Sequence, residues 1–142
     1  MSLPQYSARW VTDDQGDIGV RVVGSLYRLD VLRDLGGPPI GIAYEATCYA
    51  NSSNTWSRLW VRPMLGVWLP ARVPPNYTLI IPGRLPTDPI VARIVFNEQT
   101  MAEPPDSTLT MNAMHVHMFP DGPVANRGDF IAGSVTCSTK SK

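Results

Sequence analysis

Apolar and polar residues alternate along most of this chain with the two-residue period of β-strands, and glycine and proline separate the alternating runs. Ile40–Ala50 is the clearest run. It puts Ile42, Tyr44, Ala46, Cys48 and Ala50 on one face and Glu45, Thr47 and Tyr49 on the other. Tyr6–Thr12 predicts a first strand, closed by an acidic turn at 13–17. Ile18–Val31 predicts a long second strand with Gly24 as its bulge or bend. Leu26, Leu29, Leu32 and Leu35 would also fit a short helix, but the strict alternation of Tyr27–Val31 favours a strand. Ser57–Val73 predicts another strand, placed at an edge or broken by Pro63 and bent at Gly66.

The short strand Tyr77–Ile81 lies inside 70–89, which carries Pro70, Pro74, Pro75, Pro82, Pro86 and Pro89. Such a segment is either an extended arm or a crossover loop. Ile90–Phe96 is apolar on both faces, as in a covered central strand, and Asn97–Ser107 reads as a loop. In the last strand, Asp129–Thr139, Ile131, Gly133, Val135 and Cys137 are expected inward.

Thr108–Phe119 breaks the simple rule. Leu109, Met111, Ala113, His115, His117 and Phe119 share one face by alternation, yet the two faces nearly exchange polarity halfway along. Either a bulge shifts the register near Ala113–Met114, or another chain or loop covers the second face. The expected fold is therefore all-β. Residues 1–142 should form a single antiparallel β-sandwich of about eight strands, jelly-roll or immunoglobulin-like, with proline-rich loops.

Composition narrows the functions. Twelve basic and twelve acidic residues cancel without a one-signed stretch, which argues against nucleic acid as a partner. No apolar run approaches the ~20 residues of a membrane-spanning helix, and the first ten residues lack a signal-peptide pattern. Ten of the twelve basic residues are arginine, whose planar fork suits protein contacts, although a GC-rich coding sequence gives the same bias.

The sharpest chemical motif is His115-Val116-His117. Two histidines at i and i+2 on a strand point the same way and can share a metal, with Asp121 as a third candidate ligand. A cupin-like metal-dependent enzyme would use such a pair, but there is no third histidine, and an interface role for the two rings is favoured. Cys48 and Cys137 fall on inward faces. They can form a disulfide, but buried free thiols are the expectation for a protein made in a reducing cytoplasm. Serine nucleophile elbows, phosphate-binding glycine loops and paired zinc-binding cysteines are absent, so neither an enzyme nor a cofactor is expected.

In size, neutral charge and lack of catalytic motifs, the chain resembles the small β-sandwich proteins that decorate or cement the capsids of tailed bacteriophages. The resemblance implies a virion protein, made in the host cytoplasm, that forms trimers or other symmetric clusters and contacts a major capsid protein. Trp60, Arg62, Trp68, Tyr77, Met114, His115, His117, Met118 and Phe119 are the candidate contact residues. A carbohydrate-binding module is the alternative, with Trp60, Trp68 and either Trp10 or Trp56 exposed as a flat strip.

Overall fold

In the computed structural model, which describes residues 5–30, 32, 37–102, 108–122 and 127–139, every regular element is a strand. β1 (Gln5–Thr12), β2 (Ile18–Leu29), β3 (Ile40–Ala50) and β4 (Thr55–Leu65) form one antiparallel sheet in chain order. β5 (Tyr77–Ile81), β6 (Ala92–Met101), β7 (Leu109–Met118) and β8 (Gly128–Cys137) form a second antiparallel sheet, also in chain order. Each sheet is thus a meander. The expected jelly-roll and immunoglobulin-like arrangements both interleave strands distant in sequence, and neither describes this order. Tight turns at 13–17 and 51–54 lead β1 into β2 and β3 into β4.

Local chemistry accounts for those turns. Asp13 Oδ1 accepts hydrogen bonds from the backbone N–H groups of Gln15 and Asp17, and Gly16 takes a left-handed φ of 84°. Asn51 Oδ1 accepts from the N–H groups of Ser53 and Asn54 between β3 and β4. β4 is an edge strand, where Pro63 can be paired with Ile42 without a ladder donor, and the register slips beside it between Gly41 and Ile42. In β2 the irregularity lies between Leu26 and Leu29, not at the expected Gly24, which stays in register with both Tyr6 and Tyr44.

The sheets pack face to face with an offset: β8 lies against β2 and β3, and β7 against β3 and β4. The main core gathers Leu26, Ile42 and Tyr44 from the first sheet with Ile94, Phe96, Met114 and Val116 from the second. Each such side chain contributes about 1.5–3 kcal/mol by leaving water. The connection after β4 supplies Val67, Leu69 and Val73 to this core, so residues 70–76 act as a crossover into β5. A smaller core of Ala46, Cys48, Leu109, Met111 and Val135 fills the other end. There Cys48 of β3 and Cys137 of β8 are joined as a disulfide, with Cα atoms 5.8 Å apart, in place of the expected free thiols.

Between the two cores the second sheet exchanges its faces. Phe96 and Asn97 are both buried, as are Ala113 and Met114, and Ala132 is buried beside Gly133. Asn97 and Gly133 have left-handed φ values of 55° and 70°. The registers on either side place both residues opposite Ala113, one on each neighbouring strand. Two expectations change as a result. β6 runs on through Glu98–Met101 where a loop was expected, and in β8 Phe130 faces the core while Ile131 is 48% exposed.

Candidate functional site

The face exchange brings one polar cluster to the outer face of the second sheet. Before the exchange Glu98 of β6 pairs with Asn112 of β7; beyond it His117 pairs with Asp129 of β8. Strict alternation would have turned Asn112 and His115 to opposite sides, because they stand three residues apart. The exchange lets them share one.

The geometry is tight. The rings of His115 and His117 stack with centroids 3.7 Å apart. Glu98 lies at one end of the stack, with Oε1 2.7 Å from His115 Nδ1 and Oε2 3.5 Å from His117 Nε2. Asp129 lies at the other end, its Oδ1 2.8 Å from His115 Nε2 and 3.1 Å from His117 Nδ1. The amide nitrogen of Asn112 donates to Glu98 Oε1 at 2.7 Å. The Glu98 end is the drier one: side-chain exposure is 14% for His115, 20% for Glu98 and 24% for His117, against 61% for Asp129.

Burial alone pushes the Glu98 carboxyl upward. Hydrogen bonds from His115 and Asn112, the charge of His115 and the bond from His117 outweigh it and hold the group below its ordinary value. Glu98, His115 and His117 each offer a ligand atom, and these atoms lie within 4.8 Å of one another. Asp121 does not join them. It sits exposed in the turn after β7, and Asp129 takes the position facing the rings.

The remaining contact candidates divide in two. Trp60 (56% exposed) and Arg62 lie on the outer face of edge strand β4, and Trp68 follows that strand at 74% exposure. Met114 is fully buried, and Tyr77, Met118 and Phe119 pack against the main core, so these four are core side chains. For Met114 the cause is the face exchange, which turns the even-numbered residues of late β7 inward.

A second feature lies on the outer face of the first sheet. Trp56 stacks on Tyr49 with centroids 5.6 Å apart, and the Arg58 guanidinium stands 5.8 Å from the Tyr49 ring centre. An open trough there is lined by Thr47, Tyr49, Arg58 and Trp60, and by the ion pair of Arg21 with Glu45 at 3.0 Å.

Neither Glu98 nor Asp129 stands out as a site residue in the sequence. Asp129 reads only as the first residue of the last strand, and Glu98 as part of a loop. The usable signal was Asn97, a residue type that tolerates left-handed φ and can carry a strand onward with its faces swapped. No protein-family model, no curated protein and no solved structure matches the chain.

Proposed function

We propose that the protein is a virion structural subunit of capsid decoration or cement type, acting through contacts with copies of itself and with a major capsid protein. In this reading the two sheets form an eight-stranded β-sandwich with proline-rich connections, a rigid body whose outer surfaces are covered on assembly. The observation that carries it is the exposure of large apolar side chains. Trp10, Trp60 and Trp68 are 79%, 56% and 74% exposed. Interface cores are enriched in tryptophan, and apolar area buried between subunits contributes about 25 cal/mol per Å².

The sheet offset supports the same reading. At one end the overhang is filled by the chain's own Leu69 and Val73. At the other, edge strand β1 is paired only with β2, Trp10 is exposed, and Ala8 lines an open trough against Phe130–Ser134 of edge strand β8. Analytical ultracentrifugation of the purified chain tests the proposal. Concentration-dependent association, weakened in Trp10→Ala or Trp60→Ala, is the expected result. A chain that stays monomeric at high concentration and does not sediment with particles would remove the basis for it.

The trough beside Trp60 favours one other reading, a carbohydrate-binding module. Trp56 and Trp60 share a face with Arg58 and Arg62 on β4, which provides flat rings beside forked donors. Glycan binding by a monomer, abolished in Trp60→Ala, would select it over the assembly reading.

A further inference from the structure

Four contacts between two imidazoles and two carboxylates pose a problem of proton supply. Ionised carboxylates only accept hydrogen bonds, and a neutral imidazole has a single N–H. Both nitrogens of His115 and both nitrogens of His117 face carboxylate oxygens. Satisfying every contact with protons requires two imidazolium rings stacked with their centroids 3.7 Å apart. Like charges so close repel.

A divalent cation removes the conflict. If both rings are neutral and donate outward to Asp129 Oδ1, the lone pairs of His115 Nδ1 and His117 Nε2 remain, both facing Glu98. We propose that Glu98, His115 and His117 form a binding site for a divalent transition metal of the zinc class, with Asp129 and Asn112 holding the ligands in place. Two imidazoles and one carboxylate are a common zinc donor set, which leaves a fourth position for water. Ligand atoms within 4.8 Å of one another need shifts of only about 1 Å to reach metal–ligand distances of about 2.0–2.2 Å.

The outer partners match what a metal site needs. Ligating histidines ordinarily donate their second N–H to a carboxylate, which fixes tautomer and ring orientation. Asp129 is placed to accept from both rings, at 2.8 and 3.1 Å. Asn112, 8% exposed, orients Glu98 through its amide nitrogen, while its buried Oδ1 has no hydrogen-bond partner among the described residues. Nitrogen ligands exclude magnesium and calcium as the intended ion.

The test is calorimetric titration of chelator-stripped protein with zinc chloride, repeated with magnesium and calcium chloride. One zinc per chain is expected, with no comparable binding of the other two ions. Asp129→Ala, which removes an outer partner and no ligand, should weaken zinc binding by about 10–100-fold. Glu98→Gln and the double variant His115→Gln/His117→Gln should weaken it further. If Glu98→Gln binds zinc as the wild type does, the site is a bare surface histidine pair and the proposal fails. Should the ligand variants not fold, nitrogen NMR of the wild-type imidazoles decides. Zinc must shift His115 Nδ1 and His117 Nε2, and unmoved resonances would overturn the assignment.

Discussion

Asn97 and Gly133 flank Ala113 on neighbouring strands, and both hold left-handed backbone in the middle of a sheet. The polar cluster depends on this row, because only the swapped faces put Glu98 and Asn112 beside the histidines. Gly133 has no substitute. A Cβ there would stand 2.5 Å from the Tyr44 ring and 2.9 Å from Ala113 Cβ, in a conformation that costs a non-glycine residue about 1–3 kcal/mol. Gly133→Ala is expected to destabilise the protein by at least about 2 kcal/mol, read from the urea midpoint at unchanged slope. A midpoint equal to that of the wild type would mean that the face exchange is not held at Gly133.

Asn97 meets the same backbone demand and adds two side-chain bonds. Its amide donates to the Val73 carbonyl at 3.0 Å, and its oxygen accepts from Gln99 Nε2 at 3.0 Å. Asn97→Gly keeps the conformation and loses the bonds, whereas Asn97→Ala loses both. Urea unfolding should rank the three proteins wild type, then Gly, then Ala, with about 1 kcal/mol per lost hydrogen bond. An alanine variant as stable as the glycine variant would show that the left-handed backbone is not the costly element.

These two positions also mark where the sequence stops being legible. Ile40–Ala50 and Tyr77–Ile81 coincide with β3 and β5, because no left-handed residue interrupts their alternation and parity stays true from end to end. In β6 the expected parity holds up to Asn97, and the strand was ended there too early. In β8 it holds from Gly133 onward, through Val135 and Cys137, and carrying it back across Gly133 turned Ile131 the wrong way. The polarity swap inside Thr108–Phe119 was readable, and a register shift near Ala113–Met114 was one of two explanations for it. The histidine pair was readable for the same reason, since i and i+2 need only local alternation. Its carboxylate partners were not, because Glu98 and Asp129 reach the rings through strand pairing across β6, β7 and β8.

The Cys48–Cys137 bond closes a loop of 89 residues and ties β3 to β8 across the smaller core. Chain entropy gives such a crosslink about 4–5 kcal/mol of stabilisation, acting on the unfolded state. Reduction, or the Cys48→Ala/Cys137→Ala variant, should lower the melting temperature by about 10 °C. Melting temperatures equal with and without reductant would show that the two thiols are not bonded in solution.

Exposed and buried aromatics should separate stability from association. Phe96 is fully buried in the main core, and Phe96→Ala should cost about 3–5 kcal/mol. Trp60→Ala, at a position 56% exposed, should change monomer stability by less than about 1 kcal/mol while weakening self-association. A large stability loss from Trp60→Ala in dilute monomer would mark that ring as a structural plug and weaken the assembly proposal.

In metal-free protein, Glu98 should make the fold acid-sensitive. Its carboxyl is held below the ordinary value of 4.5, so its contribution is fully present above that value. The contribution is lost as the pH falls through the lower folded value, because the unfolded state then binds the proton more readily. His115, His117 and Asn112 face the group from β7, Asp129 stands across the rings on β8, and Arg93 lies on β6 opposite His117. Among these His115, Asn112 and His117 hydrogen-bond to Glu98, so Glu98→Gln removes the ionisable carboxyl, keeps an acceptor oxygen and leaves the rest of the cluster in place. Chemical denaturation from about pH 5 to about pH 3 should show wild-type stability falling more steeply than that of Glu98→Gln. Parallel profiles would mean that the donors around Glu98 do not stabilise its charge in the folded state.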